Sequence, residues 1–280
     1  MDPQSAWTAF LSNLPSEIRA LQENPPEDVL GNGVGTDQLI AALSEQVSPP
    51  SSVHERALDS RHGTAAYLAA GWRHIVFRHA RAVIILIEHD FSVEAQASAR
   101  VAIEHAIALQ RLSQAADEGT IGSFVGELAY RAQQRSGRQL AYLQELDDSG
   151  GGENAALLQA AASSHADSAV SRSKEYPNLG TTKGLFDGLP NGRHLHTVYS
   201  QLSEATHAAI ASATPYIFEA ARSGQPVPAA PRPVSWTETA LLLCWSCWAA
   251  EDAMVRFLED GSDLATRQIE IMATVGLASG

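Results

Sequence analysis

The fold depends on how residues 64–88, TAAYLAAGWRHIVFRHARAVIILIE, are interpreted. Residues 83–87, VIILI, are all apolar, and a run of this length is compatible with a buried strand. The residues before it are rich in alanine and arginine, which lose little side-chain entropy in a helix. We therefore predict one long helix over residues 64–88, with its apolar end buried.

The rest of the chain also has a helical pattern, interrupted by stretches rich in Gly, Pro, Asp and Asn such as residues 147–152, DDSGGG. Helices are predicted over about residues 36–47, 92–116, 121–146, 153–173, 194–222, 236–260 and 263–274. Residues 174–193 are expected to be irregular, with one helical turn. There is no internal repeat, no alternating strand pattern and no glycine-rich phosphate loop. The sequence thus predicts an all-α protein, a single bundle of about six to eight long helices.

Three segments are expected along the chain. Residues 1–53 form a peripheral N-terminal helical segment, in which Thr36 is expected to cap the helix that follows it. Residues 54–223 form the core bundle. Residues 224–280 contain C-terminal helices that pack on the core after a proline-rich connector.

The net charge and the hydrophobicity of the sequence limit which partners, nucleic acid or membrane, the protein is expected to contact. The net charge is −13, and an acidic surface repels phosphate backbones, so we expect no broad nucleic-acid-binding face. Arg73, Arg78 and Arg81 are expected to form a solvated face or to pair with acids elsewhere. The start of the chain, MDPQSAWTAF, has no signal-peptide pattern, and no apolar run reaches the roughly 20 residues of a membrane span. We expect a cytoplasmic protein without membrane contact.

Only two cysteines occur, Cys244 and Cys247, so a disulfide framework is not expected. They lie in an apolar helical segment beside Trp245 and Trp248, where packing in the core explains them better than redox chemistry or zinc. The apolar faces of the terminal helices, the tryptophans above all, suggest a homodimer.

Two polar stripes interrupt the apolar helices. Arg100, Glu104 and Arg111 are separated by four and seven residues, so they share one helical face. His105 follows Glu104 and points about a quarter-turn away. A buried arginine needs a partner, because an uncompensated interior charge costs several kcal/mol, and Glu104 is the nearest candidate.

The second stripe consists of Tyr199, Ser203 and His207, spaced by four residues and again by four. If its helix faces the first one, these side chains complete a hydrogen-bonded cluster around Arg100 and Glu104. Two interpretations stay open. The cluster is a structural network that fixes the register of the helices. Alternatively it is an active site, in which His207 or His105 transfers protons and Arg100 stabilises developing negative charge.

These motifs resemble a large group of uncharacterised bacterial helical proteins. Members carry an R-x-x-x-E helix, here Arg100 and Glu104, and a later helix of the type Y-x-x-S/L-S-x-x-x-H, here residues 199–207. The resemblance covers about residues 65–220 and implies no particular reaction. It is compatible with a component of a bacterial defence, stress or regulatory system that acts through partner contacts.

A weaker likeness is to the HEPN superfamily of helical bundles. Arg100-Val-Ala-Ile-Glu-His105 is similar to its Arg-x(4–6)-His motif. This resemblance implies a metal-independent ribonuclease, in which the Arg binds the scissile phosphate and the His handles the proton of the 2′-hydroxyl. The polar residue usual after the Arg is replaced by Val101, and the net charge argues against RNA as a general ligand.

A metal-dependent or small-molecule enzyme is the remaining alternative. Glu204-x-x-His207 has the spacing used by di-iron helical bundles, although a second Glu-x-x-His motif is missing. A zinc or nickel site built from three histidines is also conceivable. The candidates for it are His74, His79, His105, His196 and His207. The sequence names no cofactor.

Overall fold

A computed structural model describes most of the chain. The described residues are 34–48, 57–117, 121–146, 182–189, 192–206, 236–260 and 262–274, with 156–157, 159–160 and 163. Over these residues the fold is all-α and contains no strand, as predicted. The eight α-helices are α1 Thr36–Val47, α2 Thr64–Glu88, α3 Ser92–Asp117, α4 Ile121–Leu146, α5 Thr182–Asp187, α6 Gly192–Thr206, α7 Thr237–Val255 and α8 Ser262–Thr274.

The long helices begin and end close to the predicted positions. Helices α2 and α4 have the predicted bounds, and α3 extends one residue further than expected. Helix α5 is the helical turn expected within residues 174–193. Most of the helix predicted over residues 153–173, and residues 207–222 of the next one, lie outside the described residues.

The expected cap of α1 is wrong. Gly35 is the N-cap, and its backbone N–H donates to Gln38 Oε1 at 3.0 Å. Thr36 is the first helical residue, and its hydroxyl lies 2.8 Å from the hydroxyl of Thr237. The threonine therefore links α1 to the start of α7 and does not satisfy its own helix terminus.

Helix α7 ends at Val255, five residues earlier than predicted. The chain leaves the helix because its backbone pairs with the segment before α2. The N–H of Asp59 donates to the carbonyl of Phe257 at 2.9 Å, and the N–H of Glu259 donates to that of Ala57 at 3.2 Å. These bonds join residues about 200 positions apart, so local sequence does not indicate them.

Helix α3 is the centre of the fold. It packs against α2, α5, α6 and α7, and its apolar side chains Ile103, Ile107, Leu109 and Leu112 are fully buried. Helices α2 and α3 form an antiparallel hairpin whose tight turn places Asp90 in the left-handed region, at φ 64°. Helices α1 and α7 contribute to the same hydrophobic core. The division into three segments stays a prediction.

The tryptophans near the two cysteines do not form the exposed face that suggested a homodimer. Trp236 is buried, Trp245 and Trp248 are partly buried, and both cysteines lie in the core. Burial raises the pKa of Cys244 to about 12 and also raises that of Cys247. Unreactive core thiols follow from this environment.

A buried ion pair joins α2 to α7. The Arg73 guanidinium donates two hydrogen bonds to the Glu251 carboxylate, from Nε to Oε2 at 2.7 Å and from Nη2 to Oε1 at 2.5 Å. Both side chains are buried, at 8% and 1% exposure. Arg73, Arg78 and Arg81 were expected to form a solvated face or to pair with acids elsewhere: Arg73 pairs with Glu251, whereas Arg78 and Arg81 are exposed. None of the described helices is long and apolar enough to span a bilayer.

Candidate functional site

The two polar stripes meet where α3 packs against α6. Arg100 and Glu104 come from the middle of α3, and Tyr199 comes from α6. On its other faces α3 packs against α2 and α7, with buried apolar side chains, the buried polar residues Gln96 and Ser113, and Gln110, which donates to the Ala249 carbonyl of α7. The side chains of Arg100, Glu104 and Tyr199 meet where α3 packs against α6.

The Tyr199 hydroxyl stands between the two charged groups. It accepts a hydrogen bond from Arg100 Nε–H at 3.2 Å and donates to Glu104 Oε2 at 3.0 Å. The guanidinium carbon of Arg100 also lies 5.4 Å from the centre of the tyrosine ring. The direct Arg100–Glu104 ion pair expected from the sequence is absent from the described contacts, because the hydroxyl of a buried tyrosine, 5% exposed, occupies the space between them.

Thr206 is a member of this site that the sequence interpretation missed. Arg100 Nη1 donates to Thr206 Oγ1 at 3.3 Å, and that hydroxyl donates to the Ser203 carbonyl at 2.9 Å. Ser203 therefore contributes its backbone to the cluster. Helical spacing could have identified Thr206, because it lies about one turn after Ser203 on the same face of the helix.

The cluster has a closed side and an open side. A guanidinium carries five N–H groups, and the described contacts of Arg100 use two of them. The other three, and Glu104 Oε1, have no protein partner among the described residues. Both side chains are partly exposed. The tyrosine hydroxyl thus orients both charged groups from the buried side of the cluster.

His105 does not join this site. Five helical residues correspond to a rotation of about 140°, so Arg100 and His105 point in different directions. The Nδ1 of His105 lies 2.8 Å from the Val101 carbonyl. The imidazole lies near His79 of α2. The pKa of His79 is lowered mainly by burial, and to a smaller extent by the neighbouring charges of His105 and Arg78. None of the contacts described for His105 joins it to Arg100, Glu104 or Tyr199.

An aromatic contact holds α6 in place beside α5. The Phe186 ring packs 5.2 Å from the His196 ring and 5.3 Å from the Tyr199 ring, measured between centroids. A Cβ on Gly192 would lie 1.9 Å from the Phe186 carbonyl oxygen, so only glycine fits at the start of α6. Arg111 of α3 donates to the carbonyl of Gly188 at 3.1 Å. These contacts position Tyr199 over α3.

The description of the second stripe ends at Thr206. His207 and the side chain of Glu204 lie outside the described residues, so the Glu-x-x-His motif is not placed. Within the described part of the chain, no group of three or more His, Cys, Asp or Glu side chains could hold a metal ion.

Comparison with protein families matches residues 67–225, more than half of the 280 residues, to a family of unknown function, DUF5677. The chain belongs to this family. The predicted membership in an uncharacterised family is thereby confirmed. The matched region of this DUF5677 protein includes Arg100, Glu104 and Tyr199, whereas α7 and α8 lie outside it. Comparisons with curated proteins and with solved structures found no match.

Proposed function

We propose that this DUF5677 protein recognises an anionic group, a phosphate or a carboxylate, at the Arg100 cluster, which consists of Arg100, Glu104, Tyr199 and Thr206. One observation carries the proposal. The guanidinium is held on one side by two hydroxyl groups, while three of its N–H groups have no acceptor among the residues that the structure describes. Arginine binds phosphate and carboxylate through paired N–H groups, so an oriented guanidinium with open donors is suited to such a ligand.

The cluster also restricts where the anion binds. Glu104 lies beyond the tyrosine hydroxyl and repels an anion from that end, which directs the ligand to the open side of Arg100. Its Oε1, which has no partner among the described residues, accepts a hydrogen bond from a neighbouring hydroxyl or amine of the ligand. The preferred ligand therefore combines an anionic group with a hydrogen-bond donor.

This recognition suits a helical component of a bacterial defence, stress or regulatory system that acts through partner contacts. Either a free metabolite or an acidic or phosphorylated side chain of a partner presents the required group. Cytoplasmic location is part of the same proposal. We also propose that the protein self-associates.

The test is ligand-dependent stabilisation. Thermal unfolding is followed with increasing inorganic phosphate, sulfate or acetate at constant ionic strength. A ligand at ten times its Kd stabilises the folded state by about 1.4 kcal/mol. We expect saturable stabilisation that Arg100→Gln abolishes. Arg135→Gln, at an exposed arginine of α4, is the matched control and should leave it intact. Equal responses of the two variants would show that the anions act nonspecifically.

A HEPN-like ribonuclease and a metal-dependent or small-molecule enzyme are the alternatives. An arginine with open donors suits a scissile phosphate, but Val101 stands in place of the polar residue usual after the Arg, and the His105 Nδ1 is already engaged with the Val101 carbonyl. Cleavage of a labelled RNA by the parent, lost in both Arg100→Ala and His105→Ala, would establish that alternative in place of simple recognition. Metal analysis of the purified protein tests the alternative of a metal-dependent enzyme.

A further inference from the structure

One side of α2 is exposed along most of the helix. From Tyr67 to Glu88 the exposed positions recur at alternating intervals of four and three residues, so they form one continuous stripe. We define the α2 face as the C-terminal part of this stripe, Arg78, Arg81, Ile85 and Glu88. Ile85 is 49% exposed. The α2 face therefore presents an apolar side chain between charges on a regular helical surface.

The charged groups of the α2 face are not paired with one another. Within the described part of the chain, no side-chain hydrogen bond or ion pair involves Arg78, Arg81 or Glu88. Arg78 instead faces a like charge, since it contributes to the lowered pKa of His79. Glu88 lies seven residues beyond Arg81, about 10 Å along the axis, which is too far for an ion pair within the helix. The two signs of charge are thus separated along one face.

The order of these charges is complementary to itself in the antiparallel direction. When two copies of α2 are related by a twofold axis near residue 83, position 78 of one copy lies opposite position 88 of the other. Arg78 then meets Glu88 of the second copy, twice by symmetry. Ile85 packs on the aliphatic part of Arg81 of the second copy.

Other alignments of two α2 helices bring like charges together. A parallel pair places each residue opposite itself, and sliding an antiparallel pair by seven residues toward the N-termini places Arg78 opposite Arg81. The antiparallel register about residue 83 avoids both conflicts. Ala82 lies three residues before Ile85, and its small side chain permits a close approach of the two helices at the axis.

We propose that the α2 face joins two copies of this chain in a symmetric dimer, through antiparallel pairing of the α2 helices about residue 83. Phe91, which is 52% exposed in the turn after α2, extends the apolar contact at each end. At physiological ionic strength the Debye length is about 8 Å, so the repulsion between two acidic molecules is screened while charges in contact still attract. The inference rests on the proposed self-association and names its surface. It does not involve the Arg100 cluster.

Sedimentation equilibrium of the full chain over micromolar concentrations, in physiological salt and without added ligand, tests this surface. We expect a reversible dimer. Glu88→Arg should raise the dissociation constant by about tenfold or more, because both symmetry-related contacts become repulsive. Ile85→Asp should weaken the dimer by removing its apolar contact. Arg135→Glu on α4 and Glu270→Arg on α8 change exposed charges elsewhere and should leave the dissociation constant unchanged.

A charge exchange within one chain tests the antiparallel register. Arg78→Glu alone should weaken the dimer, whereas Arg78→Glu combined with Glu88→Arg should restore it, because each contact again joins opposite charges. Circular dichroism verifies that the variants are folded. A monomeric parent, single variants that stay dimeric, or a double variant that stays monomeric would overturn the proposal. Loss of anion binding in Arg100→Gln is measured separately, so the two proposals fail independently.

Discussion

Removing the Glu251 carboxylate should be among the most destabilising single changes in the helical core. The carboxylate is 1% exposed and neutralises the Arg73 guanidinium, which is 8% exposed, through two hydrogen bonds. In Glu251→Ala the guanidinium keeps its charge without a partner and without access to water. Breaking a buried pair in this way costs about 3–5 kcal/mol, which is a large part of the roughly 5–15 kcal/mol that stabilises a domain.

Urea unfolding followed by circular dichroism measures this loss of free energy. With an m-value of about 2 kcal/mol per molar urea, the midpoint should fall by about 1.5–2.5 M. Glu270→Gln, at an exposed acid of α8, is the matched control and should change the free energy of unfolding by less than about 0.5 kcal/mol.

A double variant separates charge from packing. Arg73→Met with Glu251→Leu removes both charges while keeping apolar volume between α2 and α7. Replacing a buried ion pair by apolar residues is often neutral or stabilising by about 1–4 kcal/mol. If the double variant is as unstable as Glu251→Ala, or if Glu251→Ala loses less than about 1 kcal/mol, the uncompensated charge is not the cause and the reasoning is refuted.

Three further outcomes follow from named contacts. Tyr199→Phe removes the bridging hydroxyl and should cost about 1–2 kcal/mol in urea unfolding, while weakening phosphate binding at the Arg100 cluster; unchanged stability and binding would contradict the bridge. Gly63→Ala should destabilise by about 1–3 kcal/mol because Gly63 has φ 48°, whereas Gly71→Ala in the exposed middle of α2 should stabilise by about 0.5–1 kcal/mol; effects of equal sign would count against this assignment. Cys244 and Cys247 should react with a thiol reagent only as fast as the protein unfolds, because burial raises the pKa of both thiols; rapid labelling of the native protein would show that α7 is accessible.

Sequence predicted the helices because their determinants are local. Alanine-rich composition and apolar spacing are enough to identify α2, including residues 83–87, which are also compatible with a strand. The early end of α7 could not be predicted in the same way. It depends on two backbone hydrogen bonds, from Asp59 N–H to the Phe257 carbonyl and from Glu259 N–H to the Ala57 carbonyl. No property of the sequence near Val255 indicates them.

The candidate site was partly predictable for the same reason. Helical spacing places Arg100 and Glu104 on one face of α3 and Tyr199 on the facing side of α6. Spacing does not indicate which atoms meet, so the hydroxyl interposed between the two charges was missed. Spacing also does not show which side chain of a neighbouring helix a residue meets, so the effect of His105 on the pKa of His79 was not predicted.

Two arginines of this chain show what distinguishes a structural charge from one that can recognise a ligand. Arg73 is enclosed, and a carboxylate neutralises it directly at two points. Arg100 is partly exposed, and a neutral hydroxyl separates it from Glu104. Its orientation is therefore fixed, but its charge is not cancelled by direct contact with an anion. Because no ion pair of Arg100 is found among the described residues, an external anion would not have to break one in order to bind, and this difference supports the proposal that Arg100 recognises a ligand while Arg73 stabilises the fold.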